Sequence, residues 1–335
     1  MRSGKITLAH GSGGRLSREL IEREILSRFT AGALAALPDA ATLPRPGNEL
    51  IFSTDSFVVS PLFFPGGNIG DLAVYGTVND IAVCGGKPLW LSLALVLEEG
   101  LELSVLCAVL DSVKNAAQTC GVQIVTGDTK VVQRGQCDGM YLTSAGVGER
   151  LPAFALGQSR LAAGDAVLTS GPLGDHGMAV MSVREGLNFQ SGPTSDTGPV
   201  HRLVAAAGEL SSAVKMMRDP TRGGAAAVLN EMVSGSNFDV VLDEANIPAA
   251  PNTRALAEIL GFDLLHIASE GRFLAVCERA AAEELAQRFR RFPEGAGAAI
   301  IGSVAAGQGR VVLNTVTGGR RLVSLPEGEL LPRIC

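Results

Sequence analysis

The sequence has 335 residues, 46% of them hydrophobic and 19% charged, with a net charge of −6 and a pI near 5.4. A chain of this length exceeds the size at which one core keeps growing, so we expect a two-domain globular enzyme. The acidic balance without a basic run argues against nucleic-acid binding, and the lack of an 18-residue apolar run argues against a membrane span. The six cysteines show neither a C-x-x-C pair nor metal-finger spacing, which indicates free thiols in a reducing cytoplasm.

The N-terminal segment combines a glycine-rich loop with an amphipathic helix. Backbone N–H groups of the loop at residues 10–14 can surround phosphate groups, although loops of this composition are more often ordinary turns. Its candidate phosphate-binding residues are His10, Gly11 and Gly13. The helix that follows is predicted by an apolar face made of Leu16, Leu20, Ile21 and Ile25. The Ala- and Pro-rich residues 30–48 are typical of a connector.

Carboxylates recur at the ends of predicted strands in the first half of the chain. Asp55 follows a strand over residues 50–53, and Asp128 and Thr129 follow a strand over residues 122–125. A carboxylate at the end of a buried strand is a common cation ligand, but an Asp that caps a turn is equally frequent. Lys130, beside Asp128, could hold a transferring phosphoryl group or be a solvated surface lysine.

The polar pair Asn79–Asp80 lies in an apolar stretch that continues a helix beginning near Ile69. Burying an unpaired carboxylate is costly, so Asp80 requires a metal ion, an arginine or capping N–H groups as its partner. Oxygen ligands such as these suit Mg²⁺. The other elements predicted in this half are a core strand over 89–97, a helix over 106–117 and a closing strand over 140–147.

The second half mixes short strands and helices after a passage over residues 148–157. Glycines at a helix start leave N–H groups facing outward, which favours an anion site made of Asp219, Thr221, Arg222, Gly223 and Gly224. A capping Asp219 followed by Pro220 is the alternative, although it does not account for the Thr-Arg-Gly-Gly run. Residues 186–199 are typical of a mobile loop. Glu270 falls in a turn between two apolar strands, where a glutamate is usually exposed.

The last residues place a thiol at the end of a flexible arm. Residues 325–330 carry turn and breaker chemistry without a helical or strand period, and the sequence ends at Cys335. This arrangement is typical of a tether with a nucleophile at its tip. The alternative is an ordinary disordered tail whose final residue has no function.

Together these segments resemble the ATP-dependent superfamily of aminoimidazole ribonucleotide synthetase, selenophosphate synthetase and thiamine-monophosphate kinase. Within it, the chain resembles the HypE family of hydrogenase maturation proteins. The matching segments are His10 to Gly14, Thr54 to Val59, Asn79 to Ala82, Gly127 to Lys130, Asp219 to Gly224 and Pro332 to Cys335. The resemblance covers the full length, and the terminal tetrapeptide is its most specific element, because other members of the superfamily do not end in this way.

The resemblance implies an α+β protein with a two-domain PurM-like (aminoimidazole ribonucleotide synthetase-like) fold. Its parts would be an ATP-binding and dimerisation domain over residues 1–157, a second α+β domain over 158–324 and a mobile tail over 325–335. A cytoplasmic homodimer with ATP between the domains is expected. Asp55, Asp80 and Asp128 would hold Mg²⁺, and the nucleotide would also be bound by Asn79, Thr129 and the glycine-rich segments.

The family also implies a reaction. A carbamoyltransferase partner, HypF, loads a carbamoyl group onto the terminal thiol, here that of Cys335. ATP-dependent removal of water then gives a thiocyanate, and the nitrile becomes a cyanide ligand of [NiFe]-hydrogenase iron, with the HypC–HypD complex as the iron-carrying partner. We expect Lys130 to stabilise the charge on the phosphates and Glu270 to act as the base near the reacting amide.

Two other interpretations stay open. One is an enzyme of the same superfamily that acts on a free small molecule, like a kinase or a selenophosphate synthetase. The latter normally has a cysteine or selenocysteine just before its glycine-rich loop, whereas the first cysteine here is Cys84. The other is a non-catalytic scaffold that displays a thiol, although the four histidines and scattered cysteines offer no metal-ligand spacing.

Overall fold

The computed structural model describes residues 4–11, 15–29, 43–47, 49–187, 191–325, 331 and 333–335. Gly13, Pro332 and residues 30–42 and 48 of the predicted connector lie outside these ranges. The helices are α1 (Arg15–Leu20, continued by a π-helical segment, Ile21–Leu26), α2 (Ile69–Val83), α3 (Leu103–Cys120), α4 (Asp175–Arg184), α5 (His201–Ala205), α6 (Gly224–Val233), α7 (Pro251–Leu260) and α8 (Ala282–Phe289). The strands are β1 (Leu50–Phe57), β2 (Phe63–Phe64), β3 (Gly67–Asn68), β4 (Gly86–Glu98), β5 (Gln123–Val132), β6 (Met140–Arg150), β7 (Ala166–Thr169), β8 (Val214–Arg218), β9 (Phe238–Asp243), β10 (Leu274–Cys277), β11 (Ala299–Ala306), β12 (Val311–Asn314) and β13 (Arg320–Leu322).

A four-stranded sheet and the helices α2 and α3 form two layers of the first domain. The strand order is β1-β6-β4-β5, with β4 and β5 parallel and the other neighbours antiparallel. Side chains alternate between the two faces of a strand, so every second residue of β4, from Leu91 to Leu97, is buried on the helix side. On the opposite face, Leu50 and Phe52 of β1 are 60% and 69% exposed.

The start of α2 is fixed by local chemistry. The Asn68 side chain accepts a hydrogen bond from Gly70 N at 2.8 Å, and Asp71 Oδ2 accepts one from Asn68 N at 3.0 Å. This reciprocal capping satisfies two N–H groups that a helix start would otherwise leave free. The helix then runs with almost every side chain buried as far as Val83. It can therefore carry a polar pair, Asn79 and Asp80, into the middle of the protein.

The second domain has a seven-stranded sheet in the order β13-β12-β9-β11-β7-β10-β8. Both faces of its central strands are covered. Leu168 of β7 and Ala275 of β10 pack in a cluster with Leu285 and Phe289 of α8. Their neighbours Val167 and Leu274 belong to a second cluster with residues of α6. A strand covered on both faces reads as a continuous apolar run, which is the pattern of β7 and β10.

The end of α2 joins the two domains. Ala82 and Val83 lie in one apolar cluster with Val200 and Leu203, on either side of the start of α5, and with Phe273 just before β10. The polar groups one turn earlier on α2 consequently face the inner edge of the second domain. This junction positions the candidate site.

The predicted α+β class, the helices over 16–25, 69–83 and 106–117 and the first-domain strands are confirmed. Two strands extend further than their hydrophobic runs, because polar residues continue the hydrogen-bonded ladder: β1 reaches Phe57 and β5 reaches Val132. The prediction that Asp55 and Asp128 follow strand ends is therefore wrong, since both lie within strands. Among the described helices, none combines the length and apolar character needed to cross a membrane.

Candidate active site

Three carboxylates from different elements converge at the junction of the domains. Asp55 comes from β1, Asp80 from the last turn of α2, and Asp219 from the segment after β8. Ser53 Oγ donates a hydrogen bond to Asp80 Oδ2 at 2.6 Å. Burial raises the pKa of Asp55 and that of Asp80, and the charge of Asp80 adds to the rise for Asp55. Burial followed by repulsion from Asp80 and Asp55 raises the pKa of Asp219 to about 7. Such a set attracts cations.

Glu270 stands beside this acidic set and is 3% exposed. A glutamate in a turn is usually exposed, so this burial contradicts the expectation from its surroundings in the sequence. Its Oε1 has no hydrogen-bond partner within the described part of the chain. Burial, and then the charges of Asp219, Asp196 and Asp55, raise the pKa of Glu270 well above its ordinary value. The surroundings of this side chain therefore favour the neutral acid over the carboxylate.

The backbone of Glu270 is held from two sides. Asp196 Oδ1 accepts a hydrogen bond from Glu270 N at 3.1 Å, and Asn79 Nδ2 donates one to Glu270 O at 3.0 Å. Asn79 Nδ2 also donates to Gly198 O at 3.0 Å, and its Oδ1 accepts from Val200 N at 2.8 Å. Asn79, predicted to bind nucleotide, is fully buried and uses its amide to connect α2 to the second domain.

Cys335 lies against the same group of residues. Its side chain is buried, its main-chain oxygen accepts a hydrogen bond from Val58 N at 3.2 Å, and Arg222 Nη1 approaches its Sγ at 3.5 Å. The Glu270 carboxyl group is close enough to the thiol for each group to affect the pKa of the other. Burial and the charge of Glu270 raise the pKa of the Cys335 thiol well above its ordinary value, and Arg222 opposes that shift. The described part of the tail is thus docked; its predicted mobility stays a prediction.

The loop that carries Arg222 leads directly into α6. Helix α6 begins at Gly224, after Gly223 with φ of 78°, and the Thr221 carbonyl accepts a hydrogen bond from Gly224 N at 2.9 Å. A side chain at Gly224, which has φ of 62°, would lie 2.6 Å from Leu265 O, so glycine is required here. Capping of this helix by Asp219 is therefore wrong: Asp219 lies five residues before the helix and faces the other carboxylates instead.

The remaining predicted residues gather elsewhere. Gly11, Asp128, Thr129 and Lys130 line a cavity of about 240 Å³ between β5 and the N-terminal helix. His10 precedes Gly11, and its Nδ1 accepts a hydrogen bond from Thr7 N at 3.1 Å. Lys130 Nζ lies 3.3 Å from Asp128 Oδ2, and both side chains are largely exposed.

Strand register separates this second group from the first. Asp55 pairs with Ser144, Ser144 with Leu93 and Leu93 with Gly127, and Ser144 Oγ donates to Ala73 O of α2 at 2.7 Å. Asp55 is therefore on the helix side of the sheet. Asp128, next to Gly127, projects from the other face. Since β1 and β5 are the two edge strands, roughly 14 Å separates them at the usual strand spacing.

The structure therefore brings together Asp55, Asp80, Asp219, Arg222, Glu270 and Cys335, but not Asp128 or Lys130. No group of three or more acidic, histidine or cysteine side chains within the described ranges has the geometry of a closed metal site. Asp55 and Asp80 nonetheless fit Mg²⁺ when phosphate oxygens supply the other ligands, since Mg²⁺ is commonly held by one or two carboxylates plus phosphates. Asp128 does not fit that set within one protomer.

Three residues with contacts to this site are not among the predicted ones. Asp196 lies in the predicted loop over 186–199, and its polar surroundings gave no sign that its side chain is fully buried. His176 and Arg184, on α4, hold the backbone of the docked tail. Only the three-dimensional arrangement reveals them, because their partners at this site are at least 74 residues away in the sequence.

Comparisons with known proteins agree with this architecture. Residues 37–149 match the N-terminal domain of the AIR synthase related proteins, and residues 162–314 match the C-terminal domain of the same family. The chain is 43% identical over 336 residues to the carbamoyl dehydratase HypE of Azotobacter vinelandii, covering 100% of this chain and 98% of that protein.

Solved structures show the same likeness. The crystal structure of hydrogenase maturation protein HypE in complex with ATP superimposes with a TM-score of 0.94 at 43% identity, covering 98% of this chain and 99% of the other. A HypE–HypF complex matches with a TM-score of 0.80 at 41% identity, over 92% and 99% of the two chains.

Proposed function

Because the chain belongs to the HypE family of carbamoyl dehydratases, within the AIR synthase related proteins, we propose that it uses ATP to remove water from a carbamoyl group on the Cys335 sulfur. The product, Cys335–S–C≡N, would supply the cyanide ligands of [NiFe]-hydrogenase iron. One observation carries this proposal: Cys335 Sγ is buried between Arg222 and the Glu270 carboxyl group, next to the acidic set. A group attached to this sulfur would lie among a cation, a proton acceptor and carboxylates that fit Mg²⁺.

The reaction has two steps in which atoms and charges balance. The oxygen of Cys335–S–C(=O)–NH₂ attacks the γ-phosphorus of ATP, so that ADP leaves and an S–C(–O–phosphate)=NH group forms with loss of one N–H proton. A base then takes the remaining N–H proton while the C–O bond breaks and phosphate leaves. The electron pair of the broken N–H bond forms the second π bond of the nitrile. ATP is needed because water itself is a poor leaving group from an amide.

Glu270 is the base in this proposal. The residue is an electrostatic neighbour of the thiol and has one oxygen without a described partner. A carboxylate with a raised pKa accepts a proton more readily than an ordinary one, which is the property that general-base catalysis at neutral pH requires. The Arg222 guanidinium would favour the ionised form of Glu270 once the thiol has been modified.

Asp55 and Asp80 would hold Mg²⁺ together with the nucleotide phosphates. When bound, the ion neutralises charge on the phosphates and cancels the repulsion between the two carboxylates. The N–H groups at the start of α6, beside Gly223 and Gly224, are suited to a phosphate anion. The solved HypE–ATP complex supports nucleotide binding by this fold.

The second group of residues is explained by a homodimer. The face of the first-domain sheet that is turned away from α2 and α3 exposes Leu50 and Phe52, which is unusual for a strand in contact with water alone. Pairing two copies through this face would bring Asp128 and Lys130 of β5 towards the partner subunit. Lys130 could then stabilise phosphate charge in the partner's site, which it does not reach from its own strand.

The tail must also serve partners. Docked Cys335 is 6% exposed, so carbamoyl transfer from HypF and delivery to the HypC–HypD iron complex both require release of the tail. The solved HypE–HypF complex supports the first of these partners. All six cysteines are free thiols.

Mass spectrometry of the C-terminal peptide tests this function. The protein is incubated with HypF, carbamoyl phosphate, ATP and Mg²⁺, and the peptide should gain a carbamoyl mass and then lose water. Cys335→Ala should show neither change. If the peptide stays unmodified while ATP is consumed with an added small molecule, the protein is an enzyme of the free-substrate type. If it neither binds nor hydrolyses ATP, the scaffold interpretation is correct.

A further inference from the structure

The main-chain oxygens of the docked tail are bound by hydrogen-bond donors from other parts of the protein. Ser60 N donates to Arg333 O at 3.2 Å, and Val58 N donates to Cys335 O at 3.2 Å, so the tail runs antiparallel to the segment that follows β1. Between them, Ile334 O lies 2.7 Å from His176 Nε2. Arg184 adds a second donor to Arg333 O. Three consecutive main-chain oxygens of the tail therefore have donors from residues far away in the chain.

The ring of His176 is held in one orientation and one tautomer. The residue is fully buried, and its Nδ1 lies 2.8 Å from Ser195 Oγ. Ser195 Oγ accepts a hydrogen bond from Thr197 N at 3.0 Å and lies 2.7 Å from Thr197 Oγ1, so the tautomer is decided by the Ile334 carbonyl, which can only accept. Nε2 then carries the ring proton and donates it to Ile334 O. The edge of the Phe64 ring packs on the imidazole at 5.2 Å between ring centroids and restricts its rotation further.

Arg184 connects the tail to the first domain. Its Nε donates to Ser60 O at 2.5 Å, while its Nη2 donates to Arg333 O. One guanidinium at the end of α4 thus binds both of the segments that must stay together for the tail to remain docked. Hydrogen bonds from a charged donor are stronger than those between neutral groups.

Some features of the tail disfavour its docked form, and others favour it. Arg333 has φ of 54°, a left-handed conformation that is unfavourable for a residue with a side chain. The buried side chains of Leu331 and Ile334 and the ion pair between Arg333 and Asp138 favour the docked form. The donors above bind main-chain oxygens only, so their contacts do not depend on what the Cys335 sulfur carries.

We propose that His176, Arg184 and the N–H groups of Val58 and Ser60 form a tail latch, whose opening and closing exchanges Cys335 between a form accessible to partners and a form placed in the active site. His176 and Arg184 are then positioning residues for the proposed dehydration, on which this inference rests. The latch holds the tail in the same way before loading, after loading and after dehydration. Weakening it should favour the accessible form and disfavour the reacting one.

Alkylation of Cys335 measures the latch without ATP or any partner. The folded protein is treated with iodoacetamide, and modification of the C-terminal peptide is followed by mass spectrometry. Arg184→Ala should speed this modification roughly tenfold, the effect of losing a hydrogen bond from a charged group in the docked state. Arg184→Lys, which keeps the charge but not both donors, should fall between wild type and Arg184→Ala. Arg279→Ala, at an exposed arginine elsewhere, is the matched control and should behave like wild type.

A second readout separates positioning from folding. In the complete reaction, Arg184→Ala should carbamoylate Cys335 at least as fast as wild type but dehydrate it more slowly, whereas a poorly folded protein would lose both steps. Equal alkylation rates in wild type, Arg184→Ala and Arg184→Lys would overturn the latch. Absence of dehydration in wild type, with the alkylation difference intact, would instead overturn the proposed function alone.

Discussion

A buried glutamate with an oxygen that lacks a described partner is stable only as the neutral acid, unless a cation approaches it. Glu270 meets this condition through the acidic residues around it, and Arg222 is the cation close enough to reverse it. The same side chain can therefore hold a proton in the resting protein and lose it once the site is loaded. This change of charge makes a general base possible at a position where a permanent charge would be costly.

Replacing the acid by its amide tests this role. Glu270→Gln keeps the shape of the side chain but cannot accept a proton, so we expect dehydration to slow by about 10²- to 10⁴-fold. Carbamoyl loading should be unchanged, because it takes place with the tail released. Both steps are read from the mass of the C-terminal peptide, with Glu278→Gln as an exposed control. Equal dehydration rates in the two variants would remove Glu270 from the mechanism.

His176 should make stability depend on pH. Burial lowers the pKa of His176 to about 4, whereas the imidazole of the unfolded chain has a pKa of about 6.5. Below pH 6.5 the unfolded state gains a proton that the native state refuses, so stability falls as the pH drops towards 4. Between pH 6.5 and 4 the free energy of unfolding should fall by roughly 3 kcal/mol from this group.

The difference between wild type and His176→Gln isolates this contribution, because other acidic groups titrate in both proteins. Urea unfolding at several pH values should show that wild type loses stability relative to the variant between pH 6.5 and 4. Parallel curves over this range would show that the imidazole is protonated equally well in the folded and unfolded chains.

Helix α2 is the element that joins the domains, and Asn79 is its polar contact. The three hydrogen bonds of its amide go to backbone groups of the second domain, and two of them are fully buried. Asn79→Ala leaves those groups unsatisfied, so we expect the free energy of unfolding to fall by about 3 kcal/mol. Asn115→Ala, at an exposed position of α3, should change it little. Urea denaturation measures the stability of both variants. Similar unfolding midpoints for Asn79→Ala and Asn115→Ala would show that the domains stay together without the hydrogen bonds of Asn79.

The elements themselves were predictable where a hydrophobic pattern dictates them. Helix α3 follows its apolar face from Leu106 to Ala117, and α2 begins at the predicted turn. Strand ends were less predictable, because a ladder continues through polar residues such as those at 126–130 when a neighbouring strand offers hydrogen bonds. The hydrophobic pattern of a segment shows which of its side chains are apolar. It does not show how far the neighbouring strand in the sheet extends.

The candidate site was predictable in its residue types and less so in its grouping. The acidic residues and Arg222 were found from local sequence, whereas the role of Glu270 was implied only by the family resemblance. Their separation from Asp128 depends on strand order and on which face a side chain occupies, and both are properties of the folded sheet. Burial of Glu270 likewise comes from the loop around Asp196 and from α2, both remote in sequence.

At the scale of the whole molecule, the proposed homodimer predicts that a charge on the exposed face of the first-domain sheet separates the subunits. Phe52→Lys would place an ammonium group in the interface and should give a monomer. Ile259→Lys, at a residue with a similar exposure of 71% on α7, should remain a dimer. Light scattering measures the molecular mass of both variants and so distinguishes a monomer from a dimer. A dimeric Phe52→Lys protein would place the interface elsewhere.

Mixing two inactive variants tests whether one site uses residues of both subunits. Lys130→Ala and Cys335→Ala should each be inactive in dehydration as homodimers. In a mixed dimer, the subunit that keeps Cys335 would face a partner that keeps Lys130, so one site in two should recover activity. If the mixture stays inactive although mixed dimers form, Lys130 does not act across the interface.

The burial of the docked sulfur also bears on how the protein survives between turnovers. Cys335 is 6% exposed, and its raised pKa favours the protonated thiol. The thiol therefore reacts slowly with peroxide and with disulfides, because these oxidants react with the thiolate. Oxidative damage to Cys335 would then be confined to the intervals in which the arm is away from its groove. The docked position would in this way protect the sulfur on which the proposed reaction depends.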